Sequence, residues 1–409
     1  MSKIGFGTYR ITSANPQHIE ALKSAILNGV RLIDTSTNYM DGDSHKAIAT
    51  TMSLLEDSIR DEILVVSKLG YIQNSILQKH KQRPFDGVHE IQDSLYYSIS
   101  PSFVDDQIKT TLKELELNQI ESMLLHNPEY ILIHAKNRGV DINEAHESFE
   151  KELFEAFLAL EKAVSNGDIC SYGVSSNSFS IDDRAYEYIG VDEIVSIANK
   201  AALASSRVKS ALKYIEMPMN ILESNGLANI RVAKEHNLVV LVNRPLNAQK
   251  SNQMYRLADY EKPYEYERYL NELLEVCDTK ELQTIFNLVN QLDENKHKFG
   301  WIGDYEYFLI NQVMPTISLE LQKLDPHAAQ LLIDMIDNFL SEYKNEVAYE
   351  CSRRVRYEIK DELEGFDLTL PLQEIALKEL ASNGDIDYIL VGMRKPSYVS
   401  EVVSILSQQ

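Results

Sequence analysis

Cysteine is scarce in this chain of 409 residues: there are three, Cys170, Cys277 and Cys351. They stand far apart, form no CxxC pair and leave one over from any pairing, so neither a disulfide frame nor a thiolate zinc site is indicated, and a reducing compartment fits. Basic charge is also in short supply, with 40 Lys and Arg against 62 Asp and Glu and a formal net charge of −22. Such a field repels phosphate backbones and anionic lipid surfaces, which argues against nucleic acid and membranes as partners. The opening residues MSKIGFGTYRI lack the long apolar segment of a signal peptide or a membrane span, so the expectation is a cytoplasmic protein. No repeat or low-complexity tract is present. The 44% hydrophobic and 25% charged content is that of a folded protein and excludes disorder.

What the chain does have is alternation. Short β-branched runs are followed by longer amphipathic ones, the pattern of βα units around a parallel sheet. Eight candidate strands can be read: Arg31 to Ile33, Ile63 to Ser67, Glu121 to Leu125, Cys170 to Val174, Glu193 to Ile197, Tyr214 to Glu216, Leu238 to Val242 and Asp387 to Val391. Eight such units predict an α/β fold of the (β/α)8 barrel type. Helix starts are expected at Asn15–Pro16, at Ser100–Pro101 and at Ser180 ahead of Asp182 and Asp183, each a cap or an N1 proline. In Pro101 to Leu117, Val104, Ile108, Leu112 and Leu115 share one face at helical spacing. From about Gln249 to about Gly365 β-runs are lacking, and Leu332, Met335, Ile336, Phe339, Leu340 and Tyr343 form a helical stripe. The expected organisation is therefore a barrel in residues 1–248 and 366–409, interrupted by a mostly helical insertion over 249–365, between strand seven and helix eight. An insertion there enters at the C-terminal mouth, where barrel enzymes carry their active sites; it can act as a lid, be a helical bundle that only stabilises or oligomerises, or offer a surface to a protein partner. Its aromatics Trp301, Tyr305, Tyr307 and Phe308 are candidates to wall a pocket.

Polar residues cluster where the candidate strands end. Asp34 closes the run RLID, with Tyr39 five residues on; Lys68 closes VVSK; His126 closes MLLH; Ser175, Ser176 and Asn177 follow YGV. Catalytic groups of a (β/α)8 barrel come from the ends of different strands, so Asp, Tyr, Lys and His can converge on one pocket. That quartet suits proton delivery to a carbonyl oxygen. A free phenol titrates near about 10, and an adjacent ammonium favours its ionised form. Lys68 would supply that ammonium, Asp34 would hold it, and His126 would orient the substrate oxygen near the Tyr39 hydroxyl. A metal-dependent hydrolase is the weakest reading, because the other histidines fall away from the strand ends and no metal site is expected. After the eighth strand, the Gly392 turn opens a helix whose N-terminus, with Arg394 and Lys395, suits an anion such as phosphate.

These motifs resemble the aldo-keto reductase family. The resemblance rests on IGFGTYRI, RLIDTSTNYMDGDSHKAIA, VVSKLGY, LLHNPE, YGVSSNSF, YIEMPMNILE, VLVNRPLNA and YILVGMRKPSYVSEV, over roughly the first 248 residues and the last 44. It implies a barrel closed at its base by an N-terminal hairpin, which Met1 to Ile11 would supply, and reduction of aldehydes or ketones, or oxidation of sugar lactols or alcohols, with NADP(H) preferred and NAD(H) second. By the same resemblance Tyr39 is the general acid, and Asp34, Lys68 and His126 complete its tetrad. Ser175 or Ser176 and Asn177 match the stretch that bonds the nicotinamide carboxamide, Arg394 would bind the adenosine 2′-phosphate, and Glu401 the adenine amine. Gly392, Lys395 and Arg244 fall in the same cofactor-binding segments. Three positions depart from the family pattern. Glu216 stands where a glutamine beside the nicotinamide is usual, and a carboxylate cannot donate a hydrogen bond there unless protonated. Asn243 replaces the usual aromatic and is followed by Arg244, and Tyr398 replaces an Arg or Gln. A second reading is a cofactor-binding regulatory or assembly protein on the same fold, with the insertion as its partner surface.

Overall fold

The computed structural model describes residues 3–250 and 253–407. Eight strands, each parallel to its neighbours, close into a barrel: β1 Ile4–Gly7, β2 Leu32–Asp34, β3 Leu64–Leu69, β4 Ile120–His126, β5 Ile169–Ser175, β6 Leu212–Pro218, β7 Val239–Asn243 and β8 Tyr388–Val391. β1 pairs with both β2 and β8, which shuts the ring. The principal intervening helices are α1 Pro16–Leu27, α2 Asp43–Ser53, α3 Pro101–Leu115, α4 Ile142–Asn166, α5 Val191–Ala204, α6 Leu227–Glu235 and α7 Leu372–Ser382, and α8 Pro396–Ser407 follows β8. Two of the expected caps form: the Asn15 side chain accepts from Gln17 N ahead of α1, and the Ser100 side chain accepts from Phe103 N ahead of α3. Among the described residues no helix is long and apolar enough to cross a membrane.

Four expectations need correction. The expected strand Glu193 to Ile197 lies inside α5, where Val191, Ile194, Val195, Ala198, Ala201 and Ala202 are buried at helical rather than alternating spacing. The missing strand is β1, in the segment expected to form a base-closing hairpin. Its parallel pairing on both sides rules out a hairpin among the described residues, while Met1 and Ser2 lie outside them. With four residues, two of them glycine, β1 shows no apolar alternation to read. Gly5 fits closely there, since a Cβ would stand 2.6 Å from Leu390 Cδ2 and that side chain would have to shift. Ser180 does not start a helix: it ends a 3₁₀ turn, Asn177–Ser180, and its hydroxyl donates to Pro218 O. Finally, the insertion is followed by α7, which leads into β8, and not by the eighth helix.

Strand periodicity explains how the barrel presents polar groups above an apolar layer. Leu32, Val66, Leu124, Tyr214, Leu241 and Leu390, from six different strands, pack into one buried cluster. Two residues further along each strand, on the same face, come Asp34, Lys68, His126, Glu216, Asn243 and Gly392. The apolar layer is thus the floor of the polar one. On β5 the corresponding pair is Gly173 and Ser175; Gly173 allows β6 to approach, since a Cβ would lie 2.2 Å from Tyr214 O.

The chain divides into two compact units, Met1–Pro245 with Leu377–Gln409, and Leu246–Ala376. The second begins with a two-stranded antiparallel sheet, Asn247–Lys250 and Gln253–Arg256, and continues with helices Tyr266–Cys277, Gln283–Asn295, Ile302–Phe308, Met314–Leu321 and Pro326–Glu358. It has its own core: Leu332, Ile336, Phe339, Leu340 and Tyr343 of the expected stripe pack with Leu270, Leu273, Ile285 and Tyr305. Inside this unit a pocket of about 320 Å³ is lined by Leu288, Leu292, Phe299, Phe308 and Tyr343, among others. Phe308 lines this internal pocket, Tyr305 belongs to the core of the unit and Tyr307 is exposed.

Candidate active site

The polar layer brings the four expected tetrad residues together. Lys68, buried completely, places Nζ 2.5 Å from Asp34 Oδ1 and 3.2 Å from the Tyr39 hydroxyl. Backbone bonds beyond the strand ends fix these positions: Thr8 N donates to Asp34 O, Thr37 N to Lys68 O, and Asn127 N to Ser175 O. Tyr39 opens a tight turn in which Met40, Asp41 and Gly42 all adopt left-handed backbone angles, with φ of 50°, 56° and 83°. For the two non-glycine residues this costs about 1–2 kcal/mol each. Asp41 Oδ1 anchors the turn by accepting from Ser75 N and Ser75 Oγ. The Tyr39 ring meets the His126 ring edge-on at 6.0 Å and the ring of Tyr9 at 5.2 Å.

A fifth group completes the cluster. Glu216, 1% exposed, reaches from β6 to put Oε1 3.1 Å from Lys68 Nζ, and Asn243 Nδ2 donates to the same oxygen at 2.7 Å. Lys68 therefore sits between two buried carboxyl groups. Its charge survives burial because Asp34, Glu216 and Tyr39 outweigh desolvation and hold its pKa well above the ordinary value. Asp34 moves the other way. Burial, opposed by Lys68 and aided by Glu216, pushes its pKa up to about 8, so near neutrality it carries a proton. Burial first, and then Lys68, holds His126 well below its usual value, so its ring is neutral. Lys68 does pull the Tyr39 phenol towards ionisation, as expected, but its pull is outweighed. Desolvation of the buried ring, with Asp34 and Glu216 added, exceeds the pull of Lys68, and the phenol is held above its ordinary pKa.

A family model described as the aldo/keto reductase family matches residues 3–297. The chain belongs to this family. Among solved structures it is similar to an aldo-keto reductase from Bacillus halodurans in its holo form, at 13% identity and TM-score 0.50, covering 98% of this chain and 86% of that one. It is similar also to the glycerol dehydrogenase of Gluconobacter oxydans, at 16% identity and TM-score 0.50, covering 99% and 86%. An aldo-keto reductase from Klebsiella pneumoniae in complex with NADPH matches 60% of this chain and 64% of its own, at 19% identity and TM-score 0.38. At these identities the likeness is one of fold. No curated protein matches the chain.

The residues that the aldo/keto reductase resemblance assigned to the cofactor fall in three places. Ser175 and Ser176 are buried at the mouth and Asn177 is exposed beside them. Ser176 Oγ donates to Glu129 Oε2 at 2.7 Å, and Asn177 N donates to Glu129 Oε1 at 3.1 Å. Gly392, Arg394 and Lys395 form the exposed turn after β8, and Glu401 is exposed on α8. Arg244, whose own φ is +54°, is paired with Glu223 Oε1 at 2.5 Å.

Several neighbours of the tetrad escaped sequence reasoning. Glu129, buried and pushed up to about 7 by burial, organises the Ser176 turn; its only mark was a position three residues after His126. Ser36 Oγ lies 3.2 Å from His126 Nδ1 and donates its own hydrogen to Asn38 Oδ1 at 2.6 Å. Tyr71, edge-on to His126 at 4.8 Å, belongs to a small three-stranded sheet made by Tyr71–Ile72, His89–Gln92 and Leu95–Tyr97. Among the described residues no group of three or more His, Cys, Asp or Glu side chains is arranged to hold a metal ion.

Proposed function

We propose that this member of the aldo/keto reductase family is an NADP(H)-dependent oxidoreductase that reduces an aldehyde or ketone to the alcohol, with oxidation of a sugar lactol or alcohol as the reverse reaction. The observation that carries this reading is the Tyr39 hydroxyl 3.2 Å from the buried Lys68 ammonium, beside a neutral His126. A neutral phenol is a hydrogen-bond donor, so Tyr39 can grip a carbonyl oxygen and polarise its carbon, with the neutral His126 ring beside it orienting the substrate. Tyr39 then releases its proton to that oxygen, and the phenolate left behind faces Lys68, the nearest proton source.

A reduced nicotinamide, when bound, supplies the hydride for the carbonyl carbon. The residues present suit such a group. Glu216 Oε2 and Asn243 Oδ1 are buried with no hydrogen-bond partner, and acceptors of this kind suit the amino group of a carboxamide. Gly392, Arg394 and Lys395, at the mouth of α8, offer backbone N–H groups and positive charge to a phosphate, which favours NADP(H), with NAD(H) second. The test is Tyr39→Phe. Reductase activity with NADPH is expected to fall by about 10²- to 10⁴-fold while NADPH affinity is retained. Equal turnover by the two proteins on the same carbonyl substrate overturns the assignment.

A further inference from the structure

We propose that Glu216 is a second counter-ion of Lys68, and that this extra carboxyl group keeps Tyr39 a neutral phenol across the working pH range, setting the site to give a proton rather than to take one. The inference rests on the reading of Tyr39 as the proton donor and deepens it.

Lys68 Nζ lies 2.5 Å from Asp34, 3.1 Å from Glu216 and 3.2 Å from the Tyr39 hydroxyl, and all four side chains are buried. One ammonium with one carboxylate is a neutral pair beside which a phenol can ionise. One ammonium with two carboxyl groups is different: once Asp34, with its pKa raised to about 8, gives up its proton, the cluster holds a buried net negative charge, to which a phenolate would add a further one. Among the described residues, the titratable groups placed around Tyr39 are Asp34 from β2, Lys68 from β3, His126 from β4 with its neutral ring, Glu216 from β6 and Tyr9 from the loop after β1, and of these Lys68 alone is a cation. The Asn243 amide, donating to Glu216 at 2.7 Å, holds the carboxyl group against Lys68. Glu216 reaches the phenol through Lys68, so its role is one of positioning and electrostatics.

The consequence concerns direction. Reduction uses the protonated phenol, which this site retains; oxidation needs Tyr39 as a base. Below the phenol's own titration point the ionised fraction falls tenfold per pH unit, so oxidation turnover is expected to rise with pH throughout the neutral range while reduction turnover stays level.

The experiment is NMR of the full-length, cofactor-free protein labelled with ¹³C at the tyrosine Cζ position. The Tyr39 signal is assigned by its loss in Tyr39→Phe and followed from neutral pH to about pH 10.5, where exposed tyrosines are largely ionised. In the natural protein the Tyr39 signal is expected to stay at the neutral-phenol position. In Glu216→Gln, which keeps size and an acceptor for Asn243 but removes the charge, the signal should move towards the phenolate position, with a midpoint lower by about one to three units. A natural-protein signal that ionises with the exposed tyrosines overturns the proposal, as does a Glu216→Gln signal that remains unmoved. Should Glu216→Gln fail to fold, Glu216→Met, of similar length and without charge, carries the same comparison. Failure of the functional reading looks different, because it appears as a fully active Tyr39→Phe enzyme whatever the NMR signal does.

Discussion

Replacing Lys68 by Met tests the charge arrangement at the centre of the barrel most directly. The substitution conserves side-chain length and apolar contact but removes the cation that pairs with Asp34 and Glu216 and bonds Tyr39. Breaking a buried pair by removing one partner costs about 3–5 kcal/mol, because the remaining charge has lost its compensation. Protonation relieves part of this cost, and that relief gives the prediction its sign. In the natural protein Asp34, with its pKa raised to about 8, is already protonated near neutrality, so the folded state holds one proton that the unfolded chain releases above the ordinary carboxylate range. Without Lys68 both carboxyl groups must be neutralised, so folding takes up one proton more. A folded state that binds more protons than the unfolded state loses stability as pH rises, by about 1.4 kcal/mol per unit and proton. The stability gap between the two proteins should therefore widen by about 4 kcal/mol from about pH 5 to about pH 8. Urea unfolding followed by far-ultraviolet circular dichroism measures it, with fluorescence of Trp301, the single tryptophan, reporting the helical unit separately. Stability curves that run parallel across this range would refute the reasoning.

Glu129, pushed up to about 7 from its ordinary value by burial, makes the natural protein lose stability as pH rises from about 4.5 to about 7. Glu129→Gln should flatten that part of the pH–stability curve, which thermal unfolding at both ends of the range will show. Arg394→Ala should weaken NADPH binding about tenfold, the loss of a charge-assisted hydrogen bond, and leave NADH affinity unchanged. Fluorescence titration with the two cofactors distinguishes this from a general loss of binding.

Much of the site was legible because a polar residue that ends a buried β-run is conspicuous. Asp34 after Leu-Ile, Lys68 after Val-Val-Ser and His126 after Leu-Leu have no reason to stand there unless a strand ends at a pocket. β1 was hidden by its brevity and its glycines, and α5 by β-branched residues that a four-residue window cannot assign to a helix or a strand. The meeting of Glu216 with Lys68 was not legible at all: they belong to β6 and β3, 148 positions apart in sequence, and only the closed ring brings them together. The net balance at Tyr39 was hidden for a related reason. A reading confined to strand ends weighs one nearby lysine, whereas burial and a carboxyl group from a distant strand decide the outcome.

The contact between β3 and β6 also has a mechanical meaning. These strands are not neighbours, since β4 and β5 stand between them in the sheet, so the Lys68–Glu216 pair spans the lumen as a cross-brace. Its two ends lie in opposite halves of the (β/α)8 sequence. A fragment ending before β6 would hold Asp34, Tyr39, Lys68 and His126 but not the brace, and a fragment beginning after β4 would hold Glu216 with no cation. The full proton inventory of the site comes into being only when the two halves join, so the ionisation state of one tyrosine becomes a gauge of ring closure.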